Sequence, residues 1–184
     1  MERRELFPIL GAASIAASVD ALNAQHEHHK VPRLAAGNYK LQSFSTEQDA
    51  MLDRLADILM PADAESGGAH DASVSKYLDL IVHFGPPQLK KRFETGLAAV
   101  EAESMARFQN GFGALSRAKQ TQIMERMAEN EDEPRDELQR FFVLLKANVV
   151  EGYRLSHVGQ TQWLKYKPHP EGLYPEEQLP PEVR

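Results

Sequence analysis

Three stretches of this chain collect the side-chain types from which chemistry is built. His26, His28 and His29 sit close together in "QHEHHKVPRL", where neutral imidazoles at short spacing could share one metal ion. Asp63, Glu65, His70 and Asp71 fall in the polar, glycine-rich stretch "ADAESGGAHDA" and could collect a cation. "FFVLLKANVVEGYRLSHVGQTQWLKYKPHP" places Gly152, Tyr153, Ser156, His157 and Gly159 directly behind an apolar helix. That last arrangement suits either an active centre or a surface built to hold another protein. Other chemistry finds no footing. No Glu-x-x-His pair of the kind that builds a di-iron bundle falls in an expected helix, and there is no G-x-S-x-G elbow, phosphate loop or dinucleotide fingerprint. His83 and His157 lack a Ser or Cys partner at any diagnostic spacing, so no catalytic residue is assigned.

Composition narrows the function classes. The 184 residues are 42% hydrophobic and 26% charged, ordinary values for a globular chain. A net charge of -6 argues against nucleic-acid binding, which calls for a basic face. The one basic cluster, Lys90–Lys91–Arg92, reads as a solvated helix face. Cysteine is absent, which excludes disulfides, thiolate-bound zinc, iron–sulfur clusters and covalent haem attachment on this chain.

The N-terminus suggests export. Arg3 and Arg4 precede an apolar run from Leu6 to about Val19, rich in alanine and serine and broken by Asp20. The run is shorter than the ~20 residues of a membrane-spanning helix and fits a secretory segment better than an amphipathic first helix. The arginine pair points to the twin-arginine route for folded proteins, hence to the periplasm. Residues 1–24 are read as this signal segment, and residues 25–44 as a linker without sustained periodicity.

The helical elements that must position any site follow. A capping-box pattern at Ser45 and Gln48 opens a helix with an apolar stripe of Met51, Leu52, Leu55, Ile58 and Leu59, closed before Pro61. "SVSKYLDLIVHFGPP" predicts a short helix stopped by Gly85 and Pro86. A third helix carries Leu89, Phe93, Leu97 and Val100. A fourth begins at Ser116 and carries Ile123, Met124 and Met127. The last has Pro134 near its first turn and turns Leu138, Phe141, Phe142, Leu145 and Val149 inward. No alternating strand pattern occurs. The expectation is an all-α bundle of about five helices over residues 45–159. Residues 160–184 carry Pro168, Pro170, Pro175, Pro180 and Pro181 and are expected to run extended. Trp163, Tyr166, Leu173 and Tyr174, with Tyr153 before them, are the expected anchors for a partner.

The order of these features resembles the gluconate 2-dehydrogenase subunit 3 family. The likeness rests on the arginine-pair leader, on "STEQDAMLDRLADILMPAD" with its turn from Ile58 to Asp63, and on the late helix running into Gly152-Tyr153 and Ser156-x-x-Gly159. It covers residues 45 to about 175. The resemblance implies a non-catalytic accessory subunit of an exported sugar or sugar-acid dehydrogenase, reaching the membrane only through its complex. It further implies a large FAD-carrying partner of the glucose–methanol–choline type and a cytochrome c partner carrying haem c. The glycines after the last helix are expected to let the chain turn sharply. Two alternatives stay open on the residues alone. One is a free-standing periplasmic binding or metal-handling module, and the other is an independent helical enzyme. Replacing Arg3 and Arg4 together by lysine should abolish periplasmic accumulation of the chain in fractionated cells, whereas unchanged periplasmic levels would remove the twin-arginine assignment.

Overall fold

The computed structural model describes residues 39–166. Arg3, Arg4, the histidine group at 26–29, Leu173 and Tyr174 therefore lie outside the described residues. The chain divides after Lys40, and the following description concerns the unit that begins at Leu41.

Helix α1 (Thr46–Leu59) starts at a complete capping box: Ser45 Oγ accepts the Gln48 N–H at 3.2 Å, and Gln48 Oε1 accepts the Ser45 N–H at 2.9 Å. Its buried residues are Leu52, Leu55 and Ala56, while Met51, Ile58 and Leu59 are half-buried. The small Ala56, not the larger flanking residues, thus completes the closest-packed face. Helix α2 (Val74–Phe84) follows Ser73 in left-handed backbone (φ 54°) and stops at Gly85. Helix α3 (Pro87–Phe108) has proline at its first position, where a missing N–H costs nothing, and ends at Gln109 (φ 52°). A 3₁₀ turn, Phe112–Ala114, leads to α4 (Arg117–Ala128) and then α5 (Glu137–Leu155). Among the described residues the architecture is all-helical.

Two helix starts fall where expected, with details the spacing does not give. Ser116 occupies the cap position of α4, but its side chain makes no capping hydrogen bond. Pro134 lies ahead of α5 and not in its first turn. The cap is Asp136, which accepts the Gln139 N–H at 2.9 Å, while Gln139 Oε1 accepts the Arg135 N–H at 2.7 Å. A carboxylate that satisfies free N–H groups is a stronger start signal than proline alone.

Helix α5 is the axis of the bundle and packs against α1, α2, α3 and α4. Leu138, Phe141, Phe142, Leu145 and Val149 are all buried, as their spacing predicts. Two glycines set its closest approaches. A Cβ at Gly96 of α3 would lie 2.1 Å from the Phe141 ring, and a Cβ at Gly152 of α5 would lie 2.4 Å from the Tyr77 ring of α2. Aromatic contacts continue from Phe141 to Phe93 (centroids 5.9 Å apart) and from Phe93 to Phe44 (5.8 Å). No helix among the described residues is long and apolar enough to cross a membrane.

An exposed helical glycine changed to alanine normally stabilises by ~1 kcal/mol. Gly96→Ala should do the opposite here, destabilising by about 1–3 kcal/mol in chemical denaturation because the added methyl overlaps Phe141. Phe141→Ala alone should cost ~3–5 kcal/mol. The double variant should fall short of the sum of the two, because the clash and the ring disappear together.

Candidate functional site

The residues singled out behind α5 converge with the loop between α1 and α2. That loop is organised by its own carboxylates. Asp63 Oδ1 accepts the N–H groups of Glu65 and Ser66, both at 2.8 Å, and Asp71 Oδ2 accepts the Gly68 N–H at 2.7 Å. The Ala69 N–H returns to Met60 O at 2.8 Å, closing the loop at its base. Aspartate oxygens that bond local backbone in this way hold a turn in place of a regular element.

Tyr153 locks the loop to α5. Its side chain is wholly buried, its hydroxyl donates to Gly67 O at 2.7 Å, and Ser66 Oγ lies 3.3 Å away. Beyond the helix, Ser156 Oγ donates to Tyr153 O at 2.7 Å and accepts the Gly159 N–H at 2.9 Å. Gly159 then opens a π-helical turn, Gly159–Trp163, where a Cβ would come within 1.9 Å of Tyr153 O. The turn reaches back to the same loop. Gln162 Oε1 accepts the Gly67 N–H at 2.8 Å, Lys165 pairs with Glu65 at 3.3 Å, and the Trp163 ring meets Tyr153 edge-on at 6.0 Å. Gly67 is thus held through both its carbonyl and its N–H.

Several expectations change in this geometry. Tyr153 is an internal anchor and not one for a partner, since no part of its side chain reaches the surface. Gly152 does not turn the chain; it lies within α5 and makes room for Tyr77. Residues 160–163 are helical and not extended, because the hydrogen bonds of Ser156 and Gly159 continue the coil past α5. Trp163 is half-buried against Tyr153, whereas Leu155, Leu164 and Tyr166 are exposed. His157 is exposed, and its carbonyl accepts from Thr161 Oγ1 at 2.7 Å.

The acidic loop is not arranged around a cation. Asp63 and Asp71 face backbone N–H groups, Glu65 faces Lys165, and His70 Nδ1 lies 2.7 Å from Asp53 Oδ2. Among the described residues no group of three or more histidine, aspartate or glutamate side chains is placed to hold a metal. The hydrogen bond and charge of Asp53 raise the His70 pKa above its usual value.

Sequence reasoning passed over one contributor to the lock and one buried carboxylate outside it. Gln162 has no distinguishing pattern. Asp79 had one: it stands among the apolar residues of "YLDLIVHF", on the same α2 face as Ser75, Leu78 and Val82, and all four are buried.

Comparison with known proteins identifies the family. Residues 46–171, more than half of the chain, match the family model for gluconate 2-dehydrogenase subunit 3. The chain belongs to that family, and so is a subunit of a multi-subunit dehydrogenase complex of that type. No match was found among curated proteins or among solved structures.

Tyr153→Phe should lower stability by ~0.5–1.5 kcal/mol by removing the bond to Gly67, and should speed amide exchange in the loop before it affects α5. The His70–Asp53 pair has a definite pH sign. A raised folded-state pKa gives stabilisation that is full below the ordinary histidine pKa and disappears as pH rises through the folded value. His70→Gln should therefore lower the melting temperature in mildly acidic buffer and leave it unchanged in mildly alkaline buffer. The effect should be small because the histidine is mostly exposed.

Proposed function

We propose that this subunit 3 family member is the accessory small subunit of a periplasmic FAD-dependent sugar or gluconate dehydrogenase, serving export and assembly of the catalytic flavoprotein. The observation that carries the reading is the family match across the helical domain and the turn that follows it. The chemistry of the chain is in keeping with it. The loop and the C-terminal turn have a full complement of polar groups, and these bond one another in a structural lock. With no cysteine, the chain cannot attach haem covalently, so the haem c of the complex belongs to the cytochrome c partner. The family resemblance assigns FAD to a large partner of the glucose–methanol–choline type, and this chain has no dinucleotide fingerprint of its own. The arginine pair at the N-terminus supplies the export signal for the assembled pair.

The docking surface on this reading begins where the lock ends. Leu164 and Tyr166 are about half exposed at 46% and 58%, and Leu155, at the end of α5, is 51% exposed. Trp163, next to Leu164 in the chain, packs edge-on against the buried Tyr153. The chain continues with Leu173 and Tyr174 interleaved with prolines, a composition that gives up little conformational freedom on binding. Aromatic groups of this kind cover on the order of 150–250 Å² each when docked.

Deleting residues 168–184, and separately changing Tyr166 to Ala, should abolish or weaken co-purification of the flavoprotein while leaving the melting temperature of the small subunit nearly unchanged. A complex that survives the deletion while the isolated subunit melts much earlier would assign the segment to this subunit's own core and reject the docking reading.

A further inference from the structure

The corner between α2 and α3 carries the most exposed large apolar side chain among the described residues. Phe84, the last residue of α2, is 80% exposed, and its ring meets His83 edge-on at 4.7 Å between centroids. A lone exposed ring is ordinary; the residues that surround this one are not. Gly85 passes where a Cβ would lie 2.5 Å from Ile81 O, and exposed Pro86 and Pro87 lead into α3. Early in α3 stand Lys90, Lys91 and Arg92, all exposed. Lys90 approaches Glu94 only to 3.9 Å, and Lys91 and Arg92 pair with no carboxylate among the described residues. Residues 80–93 hold no aspartate or glutamate, although the chain has 27 of them and a net charge of -6. In the groove between α3 and α5, Arg92 lies with Arg140 and Glu137, which pair with each other at 3.2 Å and leave Arg92 uncompensated.

We infer that this corner is a lipid-contact surface: Phe84 enters the headgroup region of an anionic membrane, and Lys90, Lys91 and Arg92 meet the lipid phosphates. Its composition favours lipid over a protein partner. Protein interfaces are built on a core of several apolar residues and are poor in lysine. Here one ring projects from a helix end, between prolines and lysines that impose no fixed geometry. A lipid surface needs no matching shape. An apolar ring settles at the boundary of headgroups and acyl chains, and basic side chains gain from the negative surface potential. Salt screens exposed charges beyond about 10 Å, so the cations of the corner count for more there than the net charge of the chain. The family resemblance brings the chain to the membrane only through its complex. This surface adds a direct contact, which stands independently of the accessory-subunit reading.

The chain has no cysteine, so Gln88→Cys, at an exposed position between the prolines and the cations, takes a single environment-sensitive fluorophore. On the full-length labelled protein, vesicles of mixed phosphatidylglycerol and phosphatidylcholine should shift the emission to the blue, and vesicles of phosphatidylcholine alone should not. The same label at Glu125→Cys, exposed on α4, should stay in water. The readout is local to the corner, so binding through the N-terminal apolar run alone would leave the Gln88→Cys label unshifted and overturn the inference. In the labelled protein, Phe84→Ser should weaken vesicle binding about tenfold. Lys91→Glu with Arg92→Glu should weaken it about twentyfold or more, a loss that shrinks as salt is raised. All three positions are exposed, so the melting temperature should stay at the wild-type value and report intact folding. Equal shifts on neutral and anionic vesicles, or equal shifts at both labels, would mean unspecific adsorption and overturn the inference. A Gln88→Cys label that ignores vesicles and is buried only in the assembled complex would assign the corner to a partner subunit and overturn it as well.

Discussion

The ring of Phe141 lies against the backbone of α3 at Gly96, with no room for even one methyl group between them. Much of the bundle depends on that contact. It brings α5 close enough to α3 for Phe141 to meet Phe93, and Phe93 in turn meets Phe44 ahead of α1. At the other end of the same helix, Gly152 admits the Tyr77 ring and draws α2 in. A single helix surrounded by four others must offer close approaches on several sides, and glycine supplies them where a larger residue would hold the helices apart. Two aromatic rings that each cover a glycine give α5 a defined rotation and a defined depth.

From that fixed axis the polar parts of the chain take their places. The depth of α5 puts the Tyr153 hydroxyl beneath the α1–α2 loop, where it bonds the Gly67 carbonyl. Asp63 and Asp71 bond the backbone of that loop from within, and Tyr153 adds a bond to it from α5. Gln162 and Lys165 then bind the same loop from the C-terminal side. Carboxylates that might have gathered a cation are occupied in holding backbone, and a tyrosine that might have faced a partner is enclosed. Around this enclosed polar cluster Leu155, Leu164 and Tyr166 are left exposed.

Asp79 and Asp136 show two ways in which one side-chain type serves the fold. Asp136 stands at a helix start, partly exposed, where it satisfies a free N–H and pairs with Arg126 at 2.5 Å. Its pKa is lowered by the Gln139 N–H and by Arg126, which outweigh the opposing effect of burial. Asp79 is enclosed, and its partners include three consecutive main-chain N–H groups. A buried anion is tolerated only when its lone pairs are satisfied.

The sequence by itself determined the helical class, the five helices and most of the core. Helix periodicity and stop signals are local, and Phe141, Phe142, Leu145 and Val149 could be placed inward from their spacing alone. The capping box at Ser45 was equally legible, since both of its partners lie within one turn. Only the tertiary structure decided the roles of Gly152, Tyr153 and Asp79. Glycine after an apolar helix signals a turn or a close approach with the same letter, and the position of Tyr77 chose the second. Tyr153 looked like an exposed anchor because its acceptor, Gly67, is 86 residues away along the chain. Asp79 could be seen as a charge on an apolar face, but its bonded donors stand 35 to 37 residues earlier, in a segment with no periodicity. Contacts of that separation leave no trace in local spacing, because what fixes them is how the helices pack.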